Sequence, residues 1–130
     1  MTVVDTSVLV DYLIAGRGPF RALARREREL SGPDVLVFET LAVMRRQSLR
    51  GSLDAARAHR AVARLPLLPL VLAPTLPLSR RAWELRHNLT PADALFVALA
   101  ERLDEPLVTK DARLAAAAET HSDAAVELAV

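Results

Sequence analysis

Four acidic residues, Asp5, Glu39, Asp93 and Asp111, are the side chains through which this sequence points to chemistry. Asp5 follows the apolar pair Val3-Val4, and Asp111 follows Leu107-Val108-Thr109-Lys110. Open α/β sheets bind ligands at the carboxyl ends of their strands, so an acid just after a strand stands in the right place. Glu39 lies inside Val35–Met44 (VLVFETLAVM), where every neighbour except Thr40 is apolar. Burying a lone carboxylate is costly unless a cation or a raised pKa compensates, although Glu39 could also face solvent along a narrow polar stripe. Asp93 stands third after Thr90, in Thr90-Pro91-Ala92-Asp93. That is a capping-box-like helix start, with proline at the first helical position. Asp5 and Asp111 have the same local alternative, since each could simply cap the helix that follows it.

Together the four acids make a different case. Two carboxylates about 5 Å apart repel by roughly 3 kcal/mol at an effective dielectric near 20. Several such pairs would offset much of a small domain's stability of about 5–15 kcal/mol. Partial protonation or a divalent cation relieves the conflict. An all-oxygen donor set favours magnesium or manganese over zinc. Such an ion keeps waters of its own, orients a phosphodiester and helps make a nucleophile from water, which is the logic of metal-assisted phosphodiester hydrolysis. Convergence of the four acids is a demand on the fold.

The elements that would meet this demand alternate along the chain. Strands are expected at Thr2–Val4, Leu68–Ala73, Pro106–Val108 and Ala124–Leu128, with a weakly signalled one near Leu30. Helices are expected at Ser7–Ile14, Pro19–Leu30, Leu36–Leu49, Leu53–Arg64, Ser79–His87, Thr90–Leu103 and Asp111–Glu119. Ser31-Gly32-Pro33 reads as a break, Gly51 as a stop and Ser52 as the cap of the helix after it. Strands alternating with helices imply an α/β sandwich with a parallel sheet.

At 130 residues the chain is one domain's worth, expected to span 1–130. With 52% hydrophobic and 25% charged residues it is not a disordered chain. The absence of cysteine excludes disulfides and thiolate metal sites, and suits a reducing compartment. Asp5 and Asp11 interrupt the first apolar run, which lacks a basic leader, so a signal peptide or membrane span is not expected there. The densest apolar stretch, Leu65–Ala73, is too short to cross a bilayer. Net charge is only +1, but the arginines cluster at 17–28, 45–50 and 80–86, and Lys110 is the sole lysine. The guanidinium fork suits phosphate, although a compositional bias toward arginine would produce the same clusters. His59, His87 and His121 show no metal-ligand spacing of the HExxH kind.

The blocks VVDTSVLVDYL, PDVLVFETLAVMRR, AWELRHNLTPADALFVALAE and PLVTKDARLA, in this order along essentially the whole chain, resemble the PIN-domain family, specifically VapC-like toxins of type II toxin–antitoxin systems. The resemblance implies a three-layer α/β sandwich whose mainly parallel sheet is ordered 3-2-1-4-5. It implies a metal-dependent endoribonuclease with an acidic pocket for Mg2+, or Mn2+ in its place. A cytoplasmic toxin of this kind cleaves RNA, is neutralised by a cognate VapB-like antitoxin, and is commonly a homodimer. Residue by residue, Asp5, Glu39, Asp93 and Asp111 match the family's acids, with Asp5 and Asp93 as the most direct metal ligands. Thr6, Ser7 and Thr109 fall at positions that are often hydroxyl-bearing. Arg45, Arg46, Arg80, Arg81 and Lys110 are candidate phosphate contacts. Ala92 stands where similar proteins often carry tyrosine, and Pro91 is less usual there. Asp11 is an extra acid at the helix surface or pocket edge, and Glu101 is expected to be structural or at the surface.

Two rivals differ in kind. A phosphoacceptor receiver-like domain also places aspartates at strand ends and a lysine late in the chain. It needs an acceptor after a mid-chain strand, where residues 53–73 offer only Asp54, at a helix start. A non-catalytic PIN-like binding module would not need all four acids.

Overall fold

The structure, a computed structural model, describes residues 1–27 and 29–129. Its elements are β1 (Thr2–Val4), α1 (Thr6–Ala15), α2 (Phe20–Arg26), β2 (Leu30–Pro33), α3 (Val35–Leu49), α4 (Ala55–Arg64), β3 (Leu70–Ala73), α5 (Ser79–Glu84), α6 (Pro91–Leu103), β4 (Leu107–Thr109), α7 (Ala112–His121) and β5 (Val126–Leu128). The five strands form one sheet in the order β3-β2-β1-β4-β5, and every neighbouring pair is parallel. This is the architecture expected from the alternation and the resemblance.

β1 is the central strand. Its three residues, Thr2, Val3 and Val4, are all buried, as befits a parallel strand covered on both faces. The Asp5 N–H donates to the Val108 carbonyl at 3.2 Å, so the ends of β1 and β4 lie side by side. Helix α6 supplies much of the core, with Ala94, Phe96, Val97, Ala98, Leu99 and Ala100 buried along it. Thr90 caps this helix by accepting the Asp93 N–H, and Pro91 opens it. Asp104, in the left-handed conformation at φ 51°, ends it.

Several boundaries differ from those expected. The Ser31-Gly32-Pro33 break is the body of β2, buried throughout and paired with β1 and β3. A Cβ on Gly32 would meet Leu36 Cδ2 at 2.8 Å, so this glycine answers to the packing of α3 over the strand. Pro33 has no N–H to give the sheet, and the Asp34 N–H reaches the Ala73 carbonyl at 2.8 Å in its place. The amphipathic segment expected to run to Leu30 stops as helix at Arg26, and Arg28 lies outside the described residues. α4 is capped by Asp54, whose carboxylate accepts the Arg57 N–H at 3.1 Å, whereas Ser52 donates to the Gln47 carbonyl. Pro66 sits in a 3₁₀ turn over Leu65–Leu67, which delays β3 to Leu70. Among the described residues no helix is long and apolar enough to cross a membrane.

Candidate active site

Four separate segments deliver the four acids. Asp5 leaves the end of β1, Glu39 projects from α3, Asp93 occupies the first turn of α6, and Asp111 precedes α7 just after β4. All four line one cleft of about 520 Å³ at the carboxyl end of the sheet. Thr6, Ser7, Asp11 and Lys110 line it as well, and its wall continues over Val10, Ile14 and Val43 to Gln47 and Phe96.

Asp5 is the best-held of the acids, only 5% exposed. Ser7 Oγ donates to its Oδ1 at 2.6 Å and Thr109 Oγ1 to its Oδ2 at 2.6 Å. The Val8 N–H adds a bond at 3.3 Å, so Asp5 also caps α1. Burial pushes its carboxyl above the ordinary aspartate range; the two hydroxyls and the Val8 N–H pull the other way, and the charge of Asp111 adds to the rise. Thr6 Oγ1 donates to Glu39 Oε1 at 2.8 Å. Each of the three hydroxyl residues marked in the sequence therefore orients an acid.

Asp93 is also raised, first by burial and then by the charges of Glu39, Asp111 and Asp5, with the Thr90 hydroxyl opposing. The charges of the other three acids thus reach Asp93 across the cleft. Asp111 caps α7, accepting from the Arg113 N–H at 2.9 Å and the Leu114 N–H at 3.2 Å. For Asp5 and Asp111 the capping role and the cleft-lining role coexist, because a cap at the end of a parallel strand faces the ligand side of the sheet.

Among the described residues no three of these groups stand close enough to chelate one ion. Asp5, Glu39 and Asp111 are each held by donors of their own. The donor set of carboxylates with neighbouring hydroxyls nevertheless suits a hard divalent cation that binds through few direct ligands and keeps its waters. All four acids open onto the same cleft, so an ion that keeps most of its waters has carboxylate oxygens on several sides.

The basic candidates separate. Lys110 lines the cleft. Its Nζ pairs with Asp11 Oδ2 and its backbone N–H donates to Ser7 Oγ at 2.9 Å. Arg45 and Arg46 are exposed on α3 and Arg80 on α5, and none of them lines the cleft. Arg81 is committed elsewhere: its Nε and Nη2 grip Glu101 at 2.8 and 3.0 Å, and Nη1 reaches Glu84 at 3.2 Å. That bidentate pair occupies the guanidinium expected to meet phosphate and gives Glu101 a structural role, reinforced by a bond from the Asp123 N–H at 3.2 Å. Val43 and Gln47 went unmarked in the sequence, although they follow Glu39 at helical spacing on the same face of α3.

A sheet ordered in this way, with acids from four segments in one cleft at its carboxyl end, defines a PIN-type domain. A profile of the PIN domain matches residues 2–120, and this chain belongs to that family, in its VapC branch. Ribonuclease VapC1 of Mycobacterium tuberculosis is 41% identical over 119 residues, spanning 88% of this chain and 89% of the relative. Ribonuclease VapC9 of the same organism is 40% identical over 114 residues, with 88% of each chain covered. In fold, the chain is similar to VapBC2 from Rickettsia felis, solved bound to a DNA fragment from their promoter. The TM-score is 0.73 at 11% identity, covering 99% of this chain and 98% of the other.

Proposed function

We propose that this chain is a divalent-metal-dependent endoribonuclease, the toxin of a VapBC-like pair acting in the cytoplasm. The observation that carries the proposal is the gathering of Asp5, Glu39, Asp93 and Asp111 in one cleft. It is supported by relatives of 40–41% identity that are named ribonucleases. The cofactor is Mg2+, with Mn2+ able to substitute. Asp5 and Asp93 are its most direct ligands, and Glu39 and Asp111 complete the set directly or through water. When bound, the ion supplies positive charge against the scissile phosphodiester and makes an attacking water more acidic.

The protein's own part is positioning. Ser7 and Thr109 fix both oxygens of Asp5, and Thr6 fixes Glu39. Lys110 sits where a phosphate entering the cleft would meet it, while Arg45, Arg46 and Arg80 serve phosphates farther along the RNA. The proposed protein partners are a cognate VapB-like antitoxin and a second copy of the chain. Phe38, Leu41 and Leu49 on α3, exposed at 71%, 43% and 71% with Arg45 between them, offer apolar side chains to such a partner.

The test is RNA cleavage by the native chain and by Asp5→Ala, with Mg2+ and with chelator. Cleavage that needs the metal and disappears in the variant is the expected result. Tight RNA binding with no cleavage by the native chain would overturn the proposal in favour of a binding module.

A further inference from the structure

Among the described residues that line the cleft, Lys110 is the one cation, against the five carboxylates of Asp5, Asp11, Glu39, Asp93 and Asp111. Its main chain is fixed beside the four-acid cluster: the Lys110 N–H donates to Ser7 Oγ at 2.9 Å, and the Asp111 N–H to Thr109 Oγ1 at 3.0 Å. A flexible four-carbon stem leaves the ammonium free to choose a partner. Four further carboxylates line the same cleft, yet Nζ rests on Asp11. Ser7 and Asp11 lie one turn apart on α1, so the helix grips Lys110 at two points, the backbone through Ser7 and the tip through Asp11. The turn after α1 passes close to Asp11. Gly18, at φ 83°, comes so near that a Cβ there would lie 3.1 Å from Asp11 Oδ2. Lys110 and Asp11 are each 28% exposed at the side chain, so an incoming phosphate can reach the pair.

We infer that Asp11 is a positioning residue: it parks the Lys110 ammonium away from the metal-binding acids and releases it to an RNA phosphate. The inference rests on the nuclease reading above and deepens it. Without a keeper, Lys110 becomes an internal counter-ion of the acid cluster and competes with the divalent cation for the same carboxylates. With the keeper, the acids stay available to the metal. The ammonium then waits at the cleft edge, where exchanging one anion for another loses no ion pair.

The test is a double-mutant cycle on the full chain, read first by calorimetric titration with Mg2+ or Mn2+ alone. Asp11→Asn should weaken metal binding about tenfold, the repulsion of a unit charge about 6 Å from a divalent ion in a water-like dielectric. Lys110→Met should bind metal as tightly as the native chain or more tightly, and the double variant should recover that affinity. In steady-state RNA cleavage, Lys110→Met should raise KM with little change in kcat, and Lys110→Arg should restore KM. A purely structural ion pair would lower the melting temperature of both single variants and leave metal affinity alone. Native metal affinity in Asp11→Asn, or a double variant as weak as Asp11→Asn, overturns the inference. Lys110→Met gives an independent check if Asp11→Asn folds poorly, because reduced metal affinity in it would also overturn the inference. A native chain that neither binds the ion nor cuts RNA removes the nuclease reading and this inference together. A native chain that does both, beside an unaffected Asp11→Asn, removes the inference alone.

Discussion

Replacing Asp5 with asparagine separates the charge of this residue from its shape. The carboxylate is 5% exposed and accepts from two hydroxyls at 2.6 Å and one N–H at 3.3 Å. Burial nevertheless holds its pKa above the ordinary value. An acid whose folded pKa exceeds its unfolded one destabilises the folded state wherever the pH lies above the unfolded value; below that value the effect vanishes. In chelator, Asp5→Asn should therefore match or exceed the native chain near neutral pH, and the difference should shrink as the pH approaches the ordinary aspartate pKa. The amide keeps one acceptor, and its NH2 can donate to the second hydroxyl once that rotates. Asp5→Ala leaves two hydroxyls and the Val8 N–H without their acceptor. At about 1 kcal/mol for each bond, the cap included, the loss is about 2–4 kcal/mol, or roughly 10 °C in Tm for a chain of this size. Mg2+ should reverse the order of native and asparagine forms. At a hundred times its Kd an ion adds about 2.7 kcal/mol to a protein that binds it, and both variants should gain far less. The assay is urea unfolding followed by circular dichroism, in chelator and in Mg2+, across the acidic-to-neutral range. If Asp5→Asn loses as much stability as Asp5→Ala in chelator, or gains as much from Mg2+ as the native chain, the reasoning that a strained anion awaits a cation is refuted.

Two further perturbations probe the scaffold. Burial raises the Glu101 carboxyl, but Arg81 and the Asp123 N–H outweigh it and hold the pKa below the ordinary range. Its contribution is therefore present above the unfolded pKa and lost as the pH falls through the folded one. Since Arg81 is 38% exposed at the side chain, Glu101→Gln should cost only about 1 kcal/mol near neutral pH. In acid the gap should close, with RNA cleavage unchanged throughout, as checked by unfolding and activity on one preparation. Leu99→Ala, at a site 2% exposed on α6, should cost about 2–5 kcal/mol in urea unfolding, depending on how far the cavity collapses.

Particular elements show where sequence-based inference succeeds and where it stops. Thr90-Pro91 and the apolar spacing behind Asp93 place α6 to within a residue, because cap, proline and packing face all agree. Ser31-Gly32-Pro33 carries turn chemistry locally, yet it forms a strand because β1 and β3 complete its pairing and Leu36 needs the space above Gly32. Arg81 looked like its neighbours in a basic cluster. Its commitment to Glu101 depends on α5 lying against α6, which no local pattern encodes.

The sequence by itself determined the alternation of strands and helices, the family, and the identity of the acids, since these follow from local periodicity and from motifs that persist in order. Only the tertiary structure decided that Asp5, Glu39, Asp93 and Asp111 share a cleft, that three hydroxyls orient two of them, and that Lys110 rests on Asp11. Those contacts join residues up to 104 positions apart. Local propensity carries no information across such a separation; parallel pairing of β1 with β4, and the packing of helices over that pair, creates it.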